Sequence, residues 1–338
     1  SDLMPTDPTW LQELRKGLDS SRNASFDEAL EHFERASELA PERPETACAL
    51  GRERLRRGET EEACELLRSA WEHDYSLVTA GSSLARCLGL HLRRFDEAHK
   101  VLDEVDTHKG PEPSTRLVRA ELLLEEGRHE EAAILAEALA AHDQKNVSRS
   151  ATLLMSRIEN QRGLCAVKQG AYERAIFAFK RAGDLDPEWA APPSNLGASF
   201  EELGKWQRAE QAYRQACELD PRYAWAWHNL GKLYKRRSDP RSLDCLARGY
   251  LADSARPELA ADYALALLQE NAPEQAREIL VDHAEELGDL GESWANLAVP
   301  LLARGAHDLA EMCVHKARER CSDEGMRIRL QALLGKRP

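Results

Sequence analysis

Small residues and larger apolar residues follow one another along this chain in a pattern that repeats about every 34 residues. In the clearest stretch, residues 170–234, the segment 170–175 (GAYERA) returns one period later as 204–209 (GKWQRA). Pro187 and Pro221 are also one period apart, at positions where a proline ends a helix. A fixed period of this length is typical of stacked helix pairs, so the pattern predicts a helical repeat.

One position, at the start of the second helix of each unit, carries alanine in eight units and leucine in the seventh unit. Two helices that pack about 8–10 Å apart cannot both carry bulky side chains where they cross, which explains the small residue. Successive positions are one period apart to within a single residue, except for one longer step. The steps predict nine helix pairs that run nearly end to end. The positions are Ala29, Ala63, Ala98, Ala132, Ala175, Ala209, Leu243, Ala276 and Ala310.

The longer step, from Ala132 to Ala175, adds nine residues to the usual period. Because Asn146-Val-Ser148 offers an N-cap and no glycine or proline follows until Gly163, we predict one overlong helix of roughly 22 residues there. We expect it to separate four repeats in residues 1–145 from five repeats in residues 146–322. Residues 323–338 place apolar side chains among charges, which predicts a capping helix and a tail.

A motif in the second half indicates the type of repeat. The spacing W-x-x-L-G-x-x-Y, preceded by small residues and a proline, resembles the tetratricopeptide repeat (TPR) over nearly the whole chain. The match is weakest in residues 238–255, where Leu243 replaces the small residue. The resemblance implies an all-α, right-handed superhelical solenoid of about nine TPR-like helix pairs, whose first helices line a concave groove. The motif residues are Ala209, Tyr213, Ala216, Pro221, Trp227, Leu230, Gly231 and Tyr234.

Composition and charge narrow the class of function. The formal net charge of -13 argues against nucleic-acid binding. Eight cysteines are scattered without a C-x-x-C pair, which favours free thiols over a disulfide framework. We find no apolar run long enough for a membrane span and no charged-then-apolar leader, so we predict a cytoplasmic protein without membrane insertion. Because the sequence opens with Ser1 and not with Met, an N-terminal segment that has been removed stays an open alternative.

Catalytic and cofactor signatures are missing from the sequence. It contains no G-x-G-x-x-G, no phosphate-binding loop, no H-E-x-x-H and no G-x-S-x-G motif. Cys87 and His91, four residues apart, could begin a metal site, but a buried cysteine beside a surface histidine is the better interpretation because a structural zinc site needs four ligands. We therefore predict a protein that is not an enzyme and holds no cofactor or metal.

The first helices supply the candidate binding residues. Asn195, Asn229 and Asn296 occupy equivalent positions, and we call them the asparagine row. They resemble the asparagines with which some TPR proteins hold a partner's backbone, and the amide suits that role because it both donates and accepts hydrogen bonds. The alternative is that they cap helices or hydrate the groove. Around the row we predict a peptide-binding site formed by Asn195, Trp225, His228, Asn229, Lys232, Arg236 and Asn296.

The N-terminal repeats carry arginines at the equivalent face, and we call them the arginine set. Arginine's planar fork suits carboxylates and phosphates, so one interpretation is a groove for an acidic or phosphorylated ligand. The other, slightly favoured, is an exposed charged face that pairs with nearby glutamates. The dicarboxylate clamp of heat-shock co-chaperones is not recognisable, because Leu164 and Ala198 stand where it needs polar groups. The set is Arg15, Arg22, Arg52, Arg56 and Arg86.

These observations favour a non-enzymatic scaffold that binds a peptide segment of another protein, including one with an acidic segment, in its groove. Two alternatives stay open. One is a regulatory sensor that responds to a peptide, and the other is an assembly subunit of a secretion, pilus or cell-envelope machine. The sequence does not indicate the oligomeric state.

Overall fold

The computed structural model describes residues 7–283, 297–298, 301–303, 307–320, 328 and 332. Every regular element in these ranges is helical, so the predicted all-α class is confirmed. The chain divides into two compact units, Ser1–Gln161 and Arg162–Pro338. Within the described ranges, no helix is long and apolar enough to cross a membrane.

The helices of the first unit form four consecutive pairs, followed by the long helix α9 that continues into the second unit. Their bounds are α1 Thr9–Arg22, α2 Phe26–Leu39, α3 Pro44–Arg56, α4 Thr60–His73, α5 Val78–Arg86, α6 Phe95–Lys109, α7 Pro113–Glu125, α8 His129–Ala140 and α9 Lys145–Lys168.

The second unit continues in the same way, and its helices again pack in consecutive pairs. Its helices are α10 Tyr172–Leu185, α11 Ala191–Glu202, α12 Trp206–Leu219, α13 Ala224–Arg236, α14 Ser242–Ala252, α15 Pro257–Gln269, α16 Pro273–Asp282 and a further helix His307–Arg320. The 24 residues of α9 lie where the sequence predicts one overlong helix. Of the predicted capping segment, only residues 328 and 332 belong to the described part.

The small residues that define the period lie at the helix crossings. All eight alanines of that set are fully buried, as Ala29 and Ala209 illustrate. The facing first helix contributes the second small residue of each crossing. In the pair α11 and α12, a Cβ added to Gly197 would lie 2.6 Å from Cδ1 of Tyr213, so only glycine lets the aromatic ring fit. The repeat period therefore encodes helix contacts directly.

The turn between the two helices of a pair holds one residue in the left-handed backbone region. In four pairs this residue is glycine, with φ between 68° and 83°. In the other four described turns a non-glycine residue adopts φ between 54° and 61°. The left-handed region is costly for residues with a Cβ, so the turn geometry is retained even where the sequence opposes it. The turn residues are Ala24, Gly58, Arg93, Gly127, Gly170, Gly204, Ser238 and Asn271.

The third pair contains a π-helical segment, Cys87–His91, which continues directly from α5. A π-helical turn accommodates one extra residue in a helix. The step from Ala63 to Ala98 is one residue longer than the usual period, so the segment absorbs a single-residue insertion. Gly89 lies inside it, and an added Cβ there would be 2.1 Å from Cδ2 of Leu122.

Candidate functional site

The first helices of neighbouring pairs contact one another, which brings equivalent positions side by side. In the second unit α11 contacts α13, so Asn195 and Asn229, one period apart in sequence, lie on adjacent helices. Both residues are half-buried. The Asn229 side chain has no hydrogen-bond partner among the described residues. Asn296, the third member of the asparagine row, lies outside them.

Arg236 lies one helical turn beyond Lys232 on α13 and reaches back to α11. Its guanidinium forms an ion pair with Glu201, and 58% of the arginine side chain is exposed. Glu201 also accepts a 2.9 Å hydrogen bond from the Tyr213 hydroxyl. Burial raises the pKa of Tyr213, and the charge of Glu201 raises it further, so the phenol remains a donor. Glu201 is therefore held in place while Arg236 stays accessible.

His228 lies between α13 and α15 and not on the open face. Only 5% of the residue is exposed, and its Nε2 lies 2.7 Å from Oδ2 of Asp262. Its Nδ1 is buried, with no partner among the described residues. Trp225 packs edge-on against the imidazole with ring centroids 5.5 Å apart, and the Arg256 guanidinium lies 5.7 Å from the Trp225 centroid. His228 is therefore a buried contact between α13 and α15 beneath the open face.

Asp262 connects this buried histidine to the lysines of α13. Its Oδ2 is 3.8 Å from Nζ of Lys232. Burial favours the neutral acid, but the hydrogen bond with His228 and the charges of Lys232 and Lys235 outweigh it and lower the pKa of Asp262. The carboxylate is therefore charged at neutral pH.

Four members of the arginine set form ion pairs within the first unit. Arg15 pairs with Asp7, and Arg22 lies 3.3 Å from Asp19. Arg52 is exposed and makes no ion pair within the described ranges.

The two remaining arginines are held by glutamates of first helices. The Arg56 guanidinium lies 2.7 Å from the buried carboxylate of Glu53 and 4.6 Å from the centre of the Phe26 ring. Arg86 reaches from α5 to α7, where its Nε is 3.0 Å from Glu121. Much of the positive charge of the arginine set is therefore compensated by the chain itself.

Cys87 and His91 have opposite environments. Cys87 is fully buried, and burial raises the pKa of its thiol to about 12, whereas His91 is exposed. Among the described residues, no cluster of three histidine, cysteine, aspartate or glutamate side chains could hold a metal ion.

Sequence reasoning did not identify Glu201 or Lys235 as parts of this face. Each lies within a few residues of a predicted site residue, but its role depends on a contact between helices. The contact of Asp262 with His228 could have been found from the repeat spacing. Asp262 follows His228 by 34 residues and therefore lies on α15, the first helix of the next pair.

Two profiles of known families match the chain. One, described as TPR repeat, matches residues 199–237, and the other, described as tetratricopeptide repeat, matches residues 90–148. No curated protein matches the chain in sequence.

Solved structures show a similar architecture. A monomeric mutant of IFIT1 with Gppp-AAAA is similar over 93% of this chain and 72% of its own, at 15% identity and a TM-score of 0.54. The human IFIT1 dimer with PPP-AAAA is similar over 88% of this chain and 69% of its own, at 14% identity and a TM-score of 0.53. MamA is similar over 47% of this chain and 93% of its own, at 19% identity and a TM-score of 0.40.

At these identities the likeness to the two IFIT1 structures concerns the fold alone. Packed helix pairs in both units define a helical-repeat protein. Residues 90–148 and 199–237 match tetratricopeptide repeats, in agreement with the sequence resemblance.

Proposed function

We propose that this chain is a non-catalytic interaction scaffold and that the face of α11, α13 and α15 binds a peptide segment of a partner protein. TPR repeats support the general role in protein interaction. The observation that carries the finer assignment is the placement of Asn195 and Asn229 at equivalent positions of contacting helices. The Asn229 amide has no hydrogen-bond partner among the described residues, so a partner's backbone can bind there at no cost to an existing bond.

The chemistry of the face suits an extended chain. A primary amide can donate to a peptide carbonyl and accept from a peptide N–H, so it holds a backbone whatever the side chains are. Lys232 and Arg236 follow Asn229 on α13, about one and two turns later, and suit a carboxylate of the bound segment. The Arg236 side chain is 58% exposed and that of Glu201 only 12%, so the guanidinium remains accessible to a carboxylate of the bound segment.

The proposal assigns no reaction, cofactor or nucleic acid to the chain. The cytoplasmic location and the acidic ligand of the arginine set stay predictions. The predicted boundary between residues 1–145 and 146–322 also stays a prediction. It falls in α9, as does the division of the structure after Gln161.

Selection of binding peptides from a random display library tests the assignment. Peptides recovered on the immobilised chain are synthesised with a fluorescent label and titrated by anisotropy. For peptides that use the face, Asn195→Ala combined with Asn229→Ala should weaken binding by about tenfold, because each lost hydrogen bond contributes about 0.5–1.5 kcal/mol.

A matched control changes two amides on a second helix. Gln207 and Gln211 are exposed on α12, so the double variant Gln207→Ala, Gln211→Ala should leave the dissociation constant unchanged. Circular dichroism confirms that both variants are folded. If every selected peptide binds the double asparagine variant as tightly as the original chain, the proposed face is wrong.

A further inference from the structure

A cavity of about 530 Å³ lies beside the C-terminal end of α13. Lys235 lines it, together with Ser238 and Leu243 from the following turn and helix, and Ala266 and Gln269 from α15. Ser242, Pro240 and the carboxylates of Asp239 and Glu270 complete the lining, which combines one amine with hydroxyls, an amide, two carboxylates and apolar side chains.

An irregularity in the repeat explains why the cavity exists. In the preceding pair, α12 begins at Trp206, two residues after the turn residue Gly204. In this pair α14 begins only at Ser242, four residues after the turn residue Ser238. The delayed helix, with Pro240 before it, leaves space between this turn and the end of α15.

Lys235 has no ion-pair partner within 4.0 Å among the described residues. The carboxylates around Lys235 form ion pairs with other residues or lie farther than 4.0 Å from its amine. Asp239 of the turn is bound to Arg241 at 2.6 Å. Asp262 of α15 is bound to His228 and Lys232. Glu270, at the end of α15, is exposed on the rim.

We propose that Lys235 is an acylation site, at which the side-chain amine accepts a short acyl group from a thioester. The neutral Nζ attacks the thioester carbonyl carbon, the C–N bond forms and the C–S bond breaks. The thiolate leaves, and the proton lost by Nζ protonates it. The product is an amide in the cavity, where Leu243 and Ala266 contact the acyl group and Gln269 can hydrogen-bond the amide.

Two physical effects favour this reaction at Lys235. Burial lowers its pKa, the charge of Lys232 lowers it further, and the charge of Asp262 opposes both, so more of the amine is neutral near pH 7 than at an ordinary lysine. Burial also disfavours the ammonium ion, whereas the amide product carries no charge. Acylation therefore removes an unpaired, half-buried charge.

Competitive trace labelling of the full chain with sulfo-NHS-acetate tests the proposal. Site-resolved mass spectrometry then compares Lys235 with Lys232, three residues earlier on the same helix and paired with Asp262. Near neutral pH we expect Lys235 to be labelled at least about threefold faster than Lys232, with its labelling profile shifted to lower pH. Incubation with acetyl-CoA should acetylate Lys235 before Lys232.

Trace reagent leaves the fold intact, so the comparison does not depend on a variant that folds. Equal or slower labelling of Lys235 across the pH range overturns the proposal, and so does a cavity that excludes the reagent and leaves Lys235 unlabelled. As a second measurement, Lys235→Gln replaces the ammonium with a neutral amide. It should melt at the same or a higher temperature than the original chain, and a lower melting temperature contradicts the argument from burial.

Discussion

Gly170 and Gly183 allow the contribution of backbone conformation to be measured apart from packing. A Cβ added to either residue would meet no atom within 4 Å. Gly170 has a φ of 70° in the turn before α10, whereas Gly183 lies inside α10. Alanine at either position therefore changes the backbone preference and creates no clash.

The two substitutions should change stability in opposite directions. For alanine the left-handed conformation costs about 1–2 kcal/mol, and the reduced freedom of the unfolded chain returns about 0.4–1 kcal/mol. Gly170→Ala should therefore lower the free energy of unfolding by about 0.5–1 kcal/mol. Gly183→Ala should raise it by about 0.5–1 kcal/mol, because glycine is a poor helix former.

Thermal melting followed by circular dichroism measures both effects. The melting temperature should fall by about 2 °C for Gly170→Ala and rise by a similar amount for Gly183→Ala. Because repeats need not unfold together, amide hydrogen exchange of α10 provides a local measurement of the same change. Ala24→Gly, at the equivalent turn of the first pair, should raise stability. Shifts of the same sign for both glycines would refute the argument that the turn requires a left-handed residue.

Three further results are expected. Asp262→Asn should lower the free energy of unfolding by about 1–2 kcal/mol at neutral pH, because His228 loses a charged partner. Since folding lowers the pKa of Asp262, this difference in stability should persist at every pH above the ordinary pKa of 3.8 and vanish as the pH falls through the folded pKa. Thermal melting at a series of pH values checks this dependence. Gly89→Ala should lower the free energy of unfolding by about 1–3 kcal/mol, because the new methyl group overlaps Leu122, and urea unfolding measures the loss. If the arginine set binds acidic segments, the affinity for a poly-glutamate peptide should fall steeply with salt in anisotropy titrations, and a flat response favours the charged exposed face.

The helix pairs could be predicted because they depend on contacts that repeat in sequence. Ala209 and Gly197 are small because each faces a crossing helix. The same steric requirement applies in every pair, so it repeats in the sequence. The left-handed turn was harder to find, because Ala24 and Ser238 have side chains that give no signal for it. The π-helical segment had one signal, a step one residue longer than the period, but the length of a step does not say where the extra residue is placed.

The binding face was only partly predictable, since burial and ion pairs depend on the neighbouring helix. His228 has the register of an exposed residue on α13, and its burial follows from Asp262 on α15. The sequence of α5 alone likewise gives Arg86 no acidic partner, whereas in the structure it forms an ion pair with Glu121 of α7. Charge patterns along one helix cannot show how a cation is compensated by the next helix.

Site-specific photocrosslinking tests directly whether the face of α11, α13 and α15 binds a peptide. A benzophenone side chain is placed at Asn229 in one variant and at Gln211 of α12 in another, and each is irradiated with a peptide selected on the original chain. We expect a covalent adduct from position 229 that excess unlabelled peptide abolishes, and none from position 211. Adducts at position 211 with none at position 229 would contradict binding at this face.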